Sequence, residues 1–124
     1  MGEDGKTIVL VGHCNPDIFA MRMALGRYAP GAEFVAVNDS AGLQEHAKAA
    51  GFLVNRVLDG DFGTGSGLAL IEGLSPETRA RATLVSDLAD AQTEAEKLGA
   101  AAGFGKSGMY GDAAKACIER MVGS

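Results

Sequence analysis

A chain of 124 residues, 47% hydrophobic and 22% charged, is long enough for one domain with a core of ordinary size. A formal net charge of -5 with no lysine or arginine cluster argues against nucleic acid or a membrane surface as the main partner. No apolar run is long enough to span a bilayer, and the N-terminal Met-Gly-Glu-Asp-Gly-Lys has no apolar signal stretch, so a cytoplasmic protein is expected. Cys14 and Cys117 are far apart and form no Cys-x-x-Cys, which in that compartment predicts two reduced thiols.

The hydrophobic period switches along the chain. Lys6–Gly12 (K-T-I-V-L-V-G) is a β-branched run that predicts a strand buried on both faces. Pro16, with Asn15 as cap, opens a helix over 17–28, with Ile18, Met21 and Leu25 on one face. Ala29-Pro30-Gly31 ends it, and 33–37 (E-F-V-A-V) is the second strand. Ser40 is placed to cap a helix running to Ala50, with Gly51 as its stop.

The run 52–54 (F-L-V) is a third strand, followed by a loop rich in Gly and Asp (59–67) that reads as mobile, then a short helix over 67–74. A fourth strand over 82–86, a helix over 87–98 stopped by Gly99, a minimal strand over 102–104 and a last helix over 112–122 complete the pattern. Five strands alternating with five helices through short connections mean parallel strands with right-handed crossovers. At this length an open, doubly wound α/β sheet is favoured over a barrel, and the whole of 1–124 reads as a single domain.

In such a sheet, ligands bind outside the carboxyl ends of the strands. The residues just after each strand are therefore the candidate site: Gly12 to Asn15, Asn38-Asp39, Asn55-Arg56 with Asp59 beyond, Ser86-Asp87, and Gly105-Lys106-Ser107.

The back half carries a resemblance. Leu84-Val85-Ser86, then a helix, then G-A-A-A-G-F-G-K (99–106) resembles the end of a response-regulator receiver domain, with Ser86 on the Ser/Thr position and Lys106 on the lysine position. The stretch D-G-D-F-G-T-G-S-G-L-A-L-I is similar to the receiver's third loop and helix, with Gly67 on the recurrent glycine. The resemblance implies a flavodoxin-like (βα)5 fold, a five-stranded parallel sheet of order 2-1-3-4-5, and a stand-alone signalling module of the two-component or phosphorelay type. It further implies protein partners such as a histidine kinase or a downstream effector, a monomer or weak homodimer, no enzymatic activity, and a partner face near Tyr110.

The sequence departs from the family where the chemistry sits. Receivers end the first strand with an acidic pair that binds Mg²⁺, and here that pair falls on His13 and Cys14, softer donors ill-suited to a hard cation. If the third strand ends at residue 55, Asn55 takes the phospho-acceptor place, and no cofactor is expected. If it runs on to Leu58, Asp59 is the acceptor, eight residues before Gly67, and Mg²⁺ would be needed. The first register is preferred, because the second drives Arg56 through a central strand.

The segment G-H-C-N-P-D (12–17) also resembles the first motif of the D-H-H phosphoesterases, with His13 and Asp17 as metal ligands. Phe19 replaces that family's second aspartate, and no D-H-H triplet follows. His13 reads first as a hydrogen-bonded structural residue, Cys14 as a small filler or, beside Lys106 and His13, a reactive thiolate. Lys106 reads as a solvated cation or as one fixed on Asp59 or an anion. Ser86 reads as a helix cap or a residue that moves with Lys106.

Overall fold

In the computed structural model, which describes residues 6–123, five parallel strands form one sheet of order β2-β1-β3-β4-β5. The strands are β1 (Thr7–Val11), β2 (Glu33–Val37), β3 (Gly51–Asn55), β4 (Ala82–Val85) and β5 (Ala101–Phe104). The helices are α1 (Asn15–Leu25), α2 (Ser40–Glu45), α3 (Gly67–Glu72), α4 (Pro76–Arg79), α5 (Ala89–Lys97) and α6 (Asp112–Met121). This is the flavodoxin-like order, with helices on both faces, and it explains why β1 is apolar from Ile8 to Val11 and buried throughout.

Alternation within each strand feeds two cores. Ile8, Leu10 and Leu53 pack toward Ile18, Met21 and Leu25 of α1 and Cys117 and Ile118 of α6. Val9, Val11, Phe52 and Val54 face Ile71 of α3 and Ala91 and Ala95 of α5. Each such Leu, Ile or Phe taken out of water contributes roughly 1.5–3 kcal/mol.

Several element ends differ from the sequence reading, each for a local reason. Cys14, not Asn15, is the cap position of α1, and Pro16 sits in its first turn. Asp39, not Ser40, caps α2, its carboxylate accepting from Gly42 N at 2.7 Å. That helix stops at Glu45 rather than Ala50 because Ala50 N is drawn to Thr7 O (2.9 Å) at the sheet. The guanidinium of Arg81 meanwhile holds the carbonyls of Ala47 and Ala49. Gly51, expected as a helix stop, begins β3 instead. A sixth helical turn, α4, escaped the reading; it is four residues long, with Pro76 in its first turn and Ser75 as cap.

The loop over 59–67, expected to be mobile, is pinned at both ends. Asp59 N donates to Gly12 O (2.9 Å), Asp61 N to Asn38 O (2.7 Å) and Ser40 N to Asp61 O (3.2 Å). On the far side Leu58 N donates to Gly65 O and Gly67 N to Arg56 O. A Cβ on Gly67 would run into the backbone carbonyl of Asn55, so this close return of the chain requires glycine.

Candidate functional site

The carboxyl ends of β1, β3, β4 and β5 converge on one rim. β1 turns away at Gly12, whose φ of 73° is costly for any other residue. Its carbonyl is the hub of the rim, accepting from Asp59 N and, at 2.9 Å, from Asn55 Nδ2. Asn55 is the last residue of β3, paired with Val85 of β4. The same amide nitrogen donates to Val57 O at 2.7 Å, so both of its hydrogens are used in closing the β3 turn.

His13 is buried behind this corner. Its Nε2 lies 2.9 Å from Leu53 O, and since a carbonyl only accepts, Nε2 carries the proton. The other ring nitrogen, Nδ1, is buried with no hydrogen-bond partner among the described residues. Burial is the main reason its pKa falls from 6.5 to about 4; the Leu53 hydrogen bond opposes this, Lys106 adds to it, and Asp17 partly offsets it. The imidazole is therefore neutral at pH 7.

Lys106 opens a single 3₁₀ turn (Lys106–Gly108) after β5 and reaches across the rim to α1. Its Nζ donates to Asp17 Oδ2 at 2.6 Å, with both side chains about a third exposed (34% and 30%). The ammonium holds the Asp17 carboxyl below the ordinary range, aided by the Cys14 thiol and opposed by partial burial. This corrects the expectation that Lys106 would fix Asp59; its partner is Asp17. Cys14 is half-exposed at the start of α1 rather than a filler beneath the loop.

Ser86 is buried, and its Oγ accepts from Leu88 N at 3.1 Å, a turn that precedes α5 rather than its cap. Asp87 latches the neighbouring loop, its Oδ1 accepting from Ser107 N (3.2 Å) and Ser107 Oγ (2.7 Å). Gln92 of α5 donates to Leu84 O, Ser86 O and Phe104 O, tying together the ends of β4 and β5. Asp87 and Ser107 follow strands and so lie at the rim by topology, but nothing in the sequence pairs them. Gln92 sits in mid-helix, where no sequence signal marks it. Tyr110 is 67% exposed just before α6, with the Arg27 guanidinium 5.5 Å from its ring centre.

The structure thus brings His13, Cys14, Asp17, Asn55, Ser86 and Lys106 to one rim, with Asp59 on the loop above and Tyr110 beyond the Lys106 turn. Among the described residues no group of three His, Cys, Asp or Glu side chains is placed to hold a metal ion. The donors that follow β1 are the His13 imidazole, whose Nε2 is spent on Leu53 O, and the Cys14 thiol, a set that does not fit Mg²⁺. A phosphoesterase metal pair on His13 and Asp17 likewise fails to assemble, since Asp17 is committed to Lys106.

The fold is a flavodoxin-like, doubly wound α/β sheet, the one that receiver domains have. Among solved structures it is similar to the signal receiver domain of the DNA-binding response regulator merR from Colwellia psychrerythraea 34H. The two share a TM-score of 0.71 and 16% identity over 95% of this chain and 98% of that one. A response regulator receiver domain from Rhodospirillum rubrum matches at a TM-score of 0.59 and 13% identity, over 94% and 90% of the two chains. The Mn²⁺-bound form of the response regulator Rcp1 matches at 0.59 and 16%, over 95% and 90%. No family sequence profile and no curated protein sequence matches the chain. Among the described residues, no helix is long and apolar enough to cross a membrane.

Proposed function

We propose that this chain is a receiver-like signalling module that does not use Mg²⁺-dependent aspartyl phosphorylation and passes its signal by contact with protein partners. One observation carries the reading: the residue that closes β3 is Asn55, and its amide is spent on Gly12 O and Val57 O. A neutral carboxamide so engaged has neither the charge to bind a cation nor the nucleophilic oxygen to form an acyl phosphate. His13 and Cys14 stand on the acidic-pair positions, and the Lys106 charge is already answered by Asp17.

The partner is a protein such as a histidine kinase or an effector, and it is met at the Tyr110 end of α6, where an aromatic ring stacked with Arg27 stands clear of the fold. Phosphorylation on Asp59 is the competing reading; that residue lies four positions beyond the end of β3, on the pinned loop. Titration with Mn²⁺, followed by water-proton relaxation, tests the proposal. The reading expects no saturable site at micromolar metal. One equivalent bound at that range, and lost in Asp59→Asn, contradicts it.

A further inference from the structure

Beside Lys106, between the ends of β3 and β4, lies an open pocket of about 320 Å³ lined by Asn55, Arg56, Val57, Val85, Ser86, Asp87, Leu88 and Lys106. Its size is at the lower end of small-molecule sites, roughly 300–1,000 Å³. Three features of its wall are unexplained by the fold. Arg56 is exposed and its side chain makes no hydrogen bond or ion pair among the described residues, so its whole fork of N–H donors is unspent. Ser86 accepts from Leu88 N and still has its hydroxyl hydrogen to donate. Val57 and Leu88, two of the few large apolar side chains left in solvent, are 57% and 53% exposed and both line the pocket.

We propose that this pocket binds a small organic monocarboxylate, a single anionic head with a short apolar body. The head meets Arg56, whose planar fork matches a carboxylate, and the Ser86 hydroxyl; the body covers Val57 and Leu88. One charge suits the site better than two. Lys106 is neutralised by Asp17, and the Asp87 carboxylate on the wall repels a dianion. An inorganic phosphate would leave the two apolar side chains in water. The proposal goes beyond the signalling reading and does not need it, because capture of the ligand is read on the isolated chain whether or not Asp59 is phosphorylated.

The test is a chemical-shift titration of the whole chain with butyrate, and separately with inorganic phosphate and butylamine. Saturable butyrate shifts centred on Arg56, Ser86 and Leu88, at least tenfold tighter than either control, are expected. Arg56→Gln should weaken butyrate at least tenfold, and Leu88→Asn should weaken it several-fold. Both side chains are exposed, and the unliganded spectrum of each variant verifies its fold. Absence of saturation at tens of millimolar butyrate, phosphate binding as tightly as butyrate, or butyrate affinity unchanged in Arg56→Gln would each overturn the proposal.

Discussion

Lowering the pH from 7 to 4 asks the unfolded chain to protonate His13 while the folded chain resists. In the fold the ring is buried, Nε2–H is committed to Leu53 O, and the pKa sits at about 4 against an ordinary 6.5. Between those values the unfolded state binds the extra proton, so stability must rise with pH across that window. The His13 contribution is complete above the ordinary value, shrinks as the pH falls, and is gone near 4. A gap of about two and a half units at about 1.4 kcal/mol each amounts to about 3 kcal/mol, a large share of the roughly 5–15 kcal/mol of a typical domain. Asp17 acts in a separate window. Its carboxyl is held low by Lys106, so its contribution is present above the ordinary carboxylate value of 3.8 and fades only in stronger acid. Urea unfolding at pH 7, 6, 5 and 4, on the wild type and on His13→Gln, separates the two. The wild type should lose about 3 kcal/mol over this range, and the variant, which keeps an amide donor but cannot titrate, should lose little. A flat wild-type profile, or the same fall in both proteins, would refute the assignment of a buried neutral imidazole.

Other residues give sharper local tests. Asn55→Asp replaces a donor to two carbonyls by an acceptor and should cost about 2 kcal/mol at pH 7 in urea unfolding. Because a protonated carboxyl can donate again, that loss should shrink as the pH is lowered. Lys106→Met should change stability by less than about 1 kcal/mol, since its ion pair is partly solvated. The same change should raise the Asp17 carboxyl toward its ordinary range, read by side-chain NMR titration. Gln92→Leu removes the donor shared by Leu84 O, Ser86 O and Phe104 O, and should cost about 1–3 kcal/mol by the same unfolding measurement, with amide exchange accelerated at the ends of β4 and β5.

How much of this was legible in the sequence follows from how local each determinant is. The run over 7–11, Pro16 and Gly99 act on their own neighbourhoods, and each marks an element boundary to within a few residues. The sheet order came from the resemblance to receivers and is the order found. The end of α2 is not legible in the local sequence because it is set by Arg81 and by the sheet, neither of which is near it in sequence. The rim was legible as a list of positions, since topology alone places the residues after each strand together. Its pairings were not. Lys106 and Asp17 are 89 residues apart, and a lysine can reach several carboxylates from one rim. Arg56 stands among those positions, but the sequence gives it no partner and no role; with β3 ending at Asn55 its side chain becomes an unpaired cation of an open pocket.

We propose that this receiver-like fold lacks the carboxylate–metal corner on which aspartyl phosphorylation depends. Incubation with acetyl phosphate and Mg²⁺, followed by intact-mass measurement, tests it most directly. The account predicts no phosphoryl adduct on the wild type and the same result for Asp59→Ala. A stoichiometric adduct on the wild type that disappears in Asp59→Ala would contradict it, and would show that the loop delivers Asp59 to the rim in place of Asn55.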